Sequence, residues 1–153
     1  MTTEEVETVL AEAGWSRGRD IGAQLPGLLG LVIDRFAEEG HPVEAFPAAQ
    51  DFVREFGGLS LVIPGTPPDA VGCTPHWIYE ESGEDVAELA GNVGRKLFPV
   101  GFETSDGAMV LIDETGRLFP MHHTGPYFLG ANPYEAISAL LRGPQREARD
   151  YLV

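Results

Sequence analysis

The sequence predicts an α+β domain in which about five helices pack around a largely antiparallel sheet. Two observations lead to this prediction. Apolar residues recur at helical spacing in several segments, and three short apolar segments follow one another between residues 98 and 121. With 153 residues, 43% of them hydrophobic, the chain can bury one sizeable core and is short for two. We therefore expect one domain over residues 1–153.

The N-terminal part of the chain is predicted to contain three helices. Thr2 and Glu5 have the spacing of a capping box, which begins a first helix that ends at Gly14. The second helix is expected over residues 26–40 and the third over residues 47–57. The second and third helices each begin with a proline, which suits the first turn of a helix, and end with a glycine, which suits its end.

The middle of the chain is predicted to combine short strands, a loop and a fourth helix. Residues 59–63 form a short strand, and the Pro- and Gly-rich residues 64–73 form a loop without a regular ladder. Residues 77–79 form another short strand. Apolar residues at helical spacing over residues 84–96 then predict an amphipathic helix with an acidic outer face.

A three-stranded antiparallel meander is expected at the centre of the sheet. Its strands are residues 98–102, 109–112 and 117–121. The first two are joined by a tight turn at Asp106-Gly107, and the second and third by a loop over residues 113–116. The meander therefore lies in the C-terminal half of the chain.

Burial can be predicted at a few positions. In the middle strand of the meander, Met109 and Leu111 point to one face and Val110 and Ile112 to the other, so neither face suits water. We expect both Val110 and Leu111 to be largely buried. Trp15, a single large aromatic between flexible residues, is interpreted as a packing anchor for its loop.

The C-terminal part is predicted to hold the fifth helix and a surface segment. Asn132 is a good N-cap and Pro133 a good first position for a helix over residues 133–141. Residues 143–153 begin with the Gly-Pro pair that closes this helix, and the nine residues after the pair are expected to form a short surface helix or a frayed tail.

Charge and cysteine content bound the class of protein. Ten Lys and Arg against 24 Asp and Glu give a formal charge of −14, which repels phosphate backbones and anionic lipid headgroups. A role on nucleic acid or at a membrane is therefore disfavoured. Cys73 is the one cysteine, so no internal disulfide can form, and the N-terminus lacks the pattern of a signal peptide. We expect a cytoplasmic protein.

Candidate catalytic residues are few. His122 and His123 could act with Asp113 in a small hydrolase, since all three belong to the meander. Adjacent residues of a strand point to opposite faces, however, so the two imidazoles converge only if the backbone turns there. Cys73 and His76 could pair as nucleophile and base, but no further ligand or carboxylate stands at a recognisable spacing.

A structural role is favoured over a catalytic role for these residues. Asp113-Glu114 is explained by turn preference and solvation. The glycines form no nucleotide-binding loop. We therefore expect no catalytic residue, no metal site and no cofactor.

Five carboxylates lie close together in the sequence without a neighbouring cation. They are Glu80, Glu81, Glu84, Asp85 and Glu88. One interpretation is a solvated helix face, and the other is a contact surface for a basic protein, since a dense anionic patch accelerates encounter with a cationic partner. The loops around Trp77 and Tyr127 are further candidates for partner binding.

Several short motifs spread over nearly the whole chain resemble the SUKH superfamily, specifically its third subgroup. They are Ala13-Gly14-Trp15, Gly18-Arg19, the F-G-G-L of Phe56 to Leu59, the P-V-G of Pro99 to Gly101, the L-I-D-E-x-G-R of Leu111 to Arg117, and Leu140, Leu141 and Gly143. These motifs consist of structural glycines and strand residues, so they point to a fold rather than to a reaction.

The resemblance implies an intracellular immunity protein and carries over no catalytic residue. Such a protein binds a cognate bacterial toxin domain, often a nuclease or a nucleic-acid deaminase, and blocks it by stoichiometric inhibition. Two alternatives are a regulatory or scaffolding module without a toxin partner and the small hydrolase built on His122, His123 and Asp113.

Overall fold

The computed structural model describes residues 2–63, 69–74, 82–103, 108–122, 125–128, 130–141 and 146–147. The helices in this part of the chain are α1 (Thr3–Glu12), α2 (Leu25–Glu38), α3 (Pro47–Phe56), α4 (Ser82–Val93) and α5 (Pro133–Leu141). A 3₁₀ turn at Gly22–Gln24 precedes α2. The strands are β1 (Ser60–Ile63), β2 (Asp69–Gly72), β3 (Leu97–Glu103), β4 (Ala108–Asp113), β5 (Leu118–His122), β6 (Gly125–Phe128) and β7 (Arg146–Glu147). The predicted α+β fold class is confirmed.

Local hydrogen bonds explain where helices begin and end. The Thr2 hydroxyl accepts a hydrogen bond from the Glu5 amide at 3.1 Å, and the Glu5 carboxylate accepts one from the Thr2 amide at 3.4 Å, which completes the predicted capping box. Gly14 has a φ of 107°, a conformation that glycine adopts without strain, and α1 ends just before it. At α5 the Asn132 side chain accepts from the Glu135 amide at 3.0 Å, so the predicted N-cap is confirmed.

The sheet is an antiparallel meander in which each strand pairs with the next along the chain. Its middle strand is β4, where Leu111 lies opposite Pro99 of β3 and Phe119 of β5. Val110 is 3% exposed and Leu111 is 0% exposed. The prediction that both faces of this strand are buried is confirmed. The helices α3 and α4 pack against β3, and α3 also contacts β4.

The prediction of a loop over residues 64–73 is wrong for Asp69–Gly72, which form strand β2. Residues Asp69–Gly72 pair with β1, with Leu61 opposite Val71, and also with the end of β3. The β3 strand carries an irregularity between Pro99 and Gly101, and a Cβ atom at Gly101 would lie 2.6 Å from the Gly72 carbonyl oxygen. Glycine at position 101 therefore lets β2 approach β3 closely.

Two other element boundaries differ from the prediction. Helix α4 covers Ser82–Val93 rather than residues 84–96, because Gly94 takes a φ of 73° and Leu97 already belongs to β3. Within the segment 143–153, expected as a surface helix or frayed tail, Arg146–Glu147 instead form β7, paired with β6. The strand predicted at 77–79 and the turn at Asp106-Gly107 lie outside the described residues.

None of the described helices has the length and apolar composition needed to cross a bilayer.

Candidate partner-binding surface

Helix α4 has a buried side and an acidic exposed side. Val86, Leu89 and Val93 are buried and recur at helical spacing, so they hold the helix on the core. Glu84, Asp85 and Glu88 are exposed on the outer surface of the same helix. We call these three residues the acidic α4 face.

The acidic α4 face has no compensating cation within the described part of the chain, where none of its three carboxylates forms an ion pair. Elsewhere acids do find partners, as Glu7 does with Arg17 at 2.9 Å. Glu84 and Asp85 lie in the first turn of α4, where the helix dipole favours negative charge. Glu88 lies beyond that turn, so the dipole does not account for it.

Of the other predicted partner-binding residues, Tyr127 lies in the described part of the chain, and it is away from this helix. Trp77, Glu80 and Glu81 lie outside the described residues. Tyr127 belongs to β6, where it pairs with Glu147 of β7. Because α4 packs against β3 and β6 is three strands further along the sheet, Tyr127 lies about 14 Å away across the strands.

A groove of about 530 Å³ lies beside the acidic α4 face. One wall is the segment 40–44 that follows α2, and the other is formed by Gly83, Ala87 and Ala90 of α4, with Lys96 and Leu97 at one end. We call it the α4 groove. Ala87 is also a surface neighbour of Glu84, because residues three apart on a helix are adjacent.

Polar contacts join the two walls of the α4 groove. The Glu39 carboxylate accepts a hydrogen bond from the Gly83 amide at 3.0 Å, and Lys96 Nζ donates to Glu44 Oε2 at 3.2 Å. A Cβ atom at Gly83 would lie 3.1 Å from His41 Cβ, so glycine allows the start of α4 to sit closely against this segment. The hydrogen bond to Glu39 and the close approach of Gly83 to His41 hold the start of α4 against the segment that follows α2.

Sequence reasoning missed the α4 groove because its walls come from separate segments. The one local signal is the set of small residues, Gly83, Ala87 and Ala90, which share one side of α4 at helical spacing. Small residues on one side of a helix leave room beside it, but this pattern does not predict which segment of the chain lies opposite.

Asp113 is buried rather than solvated, which corrects the predicted environment of the turn. Its Oδ1 accepts hydrogen bonds from the Thr115 amide at 2.9 Å, the Thr115 hydroxyl at 2.7 Å and the Arg117 amide at 2.9 Å. Its Oδ2 accepts from Arg117 Nε at 2.6 Å, and the side chain is 0% exposed. Both oxygens of the carboxylate are thus used in holding the turn.

The hydrolase alternative is not supported by the strand register. Met121 pairs with Met109, so the adjacent His122 lies near Ala108, where β4 begins. Asp113 is at the other end of this 6-residue strand, about 17 Å away at the usual rise per residue. His122 and Asp113 therefore do not form a pair, and His123 lies outside the described residues.

Cys73 is not an activated nucleophile. Its side chain is buried, and this burial raises the pKa of the thiol to about 12, against a smaller lowering by the charge of Arg19. The thiol is protonated at neutral pH, and His76 lies outside the described residues. Among the residues that the structure describes, no group of three or more His, Cys, Asp and Glu side chains could hold a metal ion.

Comparison with known proteins gives one match. The family model described as SUKH-3 immunity protein covers residues 2–143, which is most of the chain. No curated protein and no solved structure matches significantly. The matched range includes α1 to α5, the acidic α4 face, the α4 groove and the buried turn at Asp113. The chain belongs to the SUKH-3 immunity protein family.

Proposed function

We propose that this protein neutralises a cognate bacterial toxin domain by binding it stoichiometrically through the acidic α4 face, and that the toxin acts on nucleic acid. Membership of an immunity protein family supports the toxin-neutralising role. The observation that carries the choice of surface is the set of three exposed carboxylates on α4 without an ion pair in the described part of the chain.

Electrostatics favours a toxin of this class as the partner. An enzyme that acts on a nucleic acid needs a cationic surface to hold the phosphate backbone. A protein with a formal charge of −14 is attracted to such a surface, and a concentrated anionic face orients the encounter. Occupying the cationic surface would exclude the nucleic acid without any chemical step by the immunity protein.

The described residues with catalytic potential support a binding role. Both oxygens of Asp113 are engaged in hydrogen bonds, and Cys73 is buried with a raised pKa. His122 lies at the far end of β4 from Asp113. A stoichiometric inhibitor needs none of these groups to react.

The test is a titration of toxin activity. A cognate toxin domain, identified from neighbouring genes or by co-purification, would be assayed on nucleic acid with increasing amounts of the purified protein. We expect activity to fall linearly and to end at one equivalent of immunity protein. A regulatory or scaffolding module would leave the activity unchanged, and an enzyme that destroys the toxin would act well below one equivalent.

A further inference from the structure

We infer that the α4 groove receives an arginine or lysine side chain of the toxin together with the apolar surface around it. This inference rests on the proposed function and specifies the partner of the same region. The acidic α4 face would supply the long-range attraction, and the α4 groove would supply the short-range anchor.

The size of the α4 groove suits a side-chain anchor. Its volume of about 530 Å³ falls in the range of pockets that bind drug-sized ligands, so it can hold a long side chain and its neighbours. The space exists because Gly83, Ala87 and Ala90 are small. A large residue at Ala87, which is exposed, would project into it.

The lining of the α4 groove matches a long basic side chain. Pro42, Val43, Ala87 and Ala90 line the groove without being fully buried, so they contribute apolar surface. Lysine and arginine pack their methylene stems on such surface and keep the charged group at a polar edge. Glu44 lines one wall of the groove, and Glu84 lies outside the groove next to Ala87 on the surface of α4, so one acidic group lines the groove and another lies beside it.

Glu44 can exchange its partner. It is paired with Lys96 at 3.2 Å, and both side chains are largely exposed, at 60% for Lys96 and 63% for Glu44. Exposed ion pairs of this kind contribute little free energy. An incoming cation can therefore replace Lys96 at small cost, and Lys96 can turn to solvent.

Charge also decides against a second copy of this chain as the occupant. Each copy carries a formal charge of −14, so two copies repel each other and neither brings an excess of basic residues. A basic protein gains from the same field. The occupant that the charges favour is the cationic surface of the toxin.

The deciding experiment compares two alanine-to-tryptophan variants, Ala87→Trp and Ala11→Trp. Both alanines are exposed on helices, but Ala11 of α1 does not line the α4 groove. The probe is a catalytically inactive form of the toxin domain that the activity titration identifies, titrated by calorimetry. Filling the groove should weaken binding by about 100-fold or more, as loss of a central anchor does. Ala11→Trp should stay within about threefold of the unmodified protein.

A second pair of variants tests the charge of the occupant. Glu44→Gln should weaken binding by roughly tenfold, because it removes the negative charge that pairs with the incoming cation. Lys96→Gln removes the competing cation and should leave the affinity unchanged or increase it. Equal melting temperatures of all variants would show that the fold is intact.

Each other outcome overturns a defined part of the inference. If the unmodified protein binds the toxin and Ala87→Trp binds equally well, the groove is not the anchor site, while the proposed function stands. If Glu44→Gln has no effect while Ala87→Trp abolishes binding, the occupant is apolar rather than basic. Self-association in sedimentation that Ala87→Trp removes would make a second copy the occupant. Absence of any toxin binding would overturn both this inference and the proposed function.

Discussion

Asp113 is the buried charge around which the turn between β4 and β5 is built. The carboxylate accepts four hydrogen bonds from Thr115 and Arg117, and the Arg117 guanidinium lies 5.6 Å from the centre of the Phe119 ring. Turn preference predicted an acid here but not its burial. The sequence does not show that the Arg117 side chain folds back over the turn and shields it from water.

Removing the Asp113 carboxylate should destabilise the fold. Asp113→Ala leaves the Thr115 and Arg117 donors without their acceptor, and we expect the free energy of unfolding to fall by about 2–4 kcal/mol. Glu114→Ala is the matched control, since Glu114 is exposed and its carboxylate accepts one exposed hydrogen bond, from the Lys96 amide, so its loss should cost about 1 kcal/mol or less. Urea denaturation of the two variants measures the difference. Equal losses would contradict the structural role of Asp113.

Trp15 and Arg19 show which single-residue roles the sequence reveals. Trp15 was predicted to be a packing anchor, and it is buried with its indole Nε1 donating to the Glu55 carboxylate at 3.1 Å. Arg19 had no predicted contact. Its guanidinium donates to the carbonyl oxygens of Glu55 at 2.6 Å and Gly57 at 2.8 Å, at the C-terminal end of α3. The burial of a large aromatic side chain can be predicted from its type. Hydrogen-bond partners that are far away in the sequence can be identified only from the structure.

At the scale of elements, β4 is the strand that the sequence described best. Its apolar residues alternate onto both faces, and the structure places it between β3 and β5 with both faces covered. Such a strand has no solvent side, so its position at the middle of the sheet follows from its composition.

Truncation of β4 should be costly on either face. Val110→Ala and Leu111→Ala each remove buried methyl groups, and we expect losses of about 2–4 kcal/mol, with valine at the lower end. Val62→Ala is the control, because Val62 is 61% exposed on β1 and should cost less than about 1 kcal/mol. Thermal or urea unfolding provides the comparison. A small effect at either β4 position would contradict its central place in the core.

Strand β2 shows why other elements escape sequence analysis. The residues Asp69–Gly72 have weak strand propensity and follow a Pro-rich segment. They become a strand because β1 and β3 offer pairing partners on either side, and because Gly101 allows β2 to approach β3 closely. Pairing of this kind is a property of the fold rather than of the segment. The same holds for β7, which depends on β6.

For the whole molecule, the sequence predicted the acidic α4 face better than the α4 groove. The charge and helical spacing of Glu84, Asp85 and Glu88 placed these residues on one exposed helix, and the structure describes all three there. The α4 groove depends on how the segment 40–44 and Lys96 meet that helix. No local pattern encodes this arrangement, because the segment 40–44 is far from α4 and Lys96 in the chain.

The central claim is that the acidic α4 face guides the approach of the toxin. Two triple variants each remove three negative charges, but from different surfaces of the protein. Glu84→Gln, Asp85→Asn and Glu88→Gln change the acidic α4 face, while Glu4→Gln, Glu12→Gln and Asp34→Asn change exposed acids of α1 and α2.

The association rates of the two triple variants with the toxin domain would be compared by stopped flow at low and high salt. We expect the α4 variant to associate roughly tenfold more slowly at low salt and to lose most of its salt dependence, since local charge steers encounter and salt screens it. The control variant should slow by less than about twofold. Equal rates for the two variants, whether both unchanged or both slowed alike, would contradict the account.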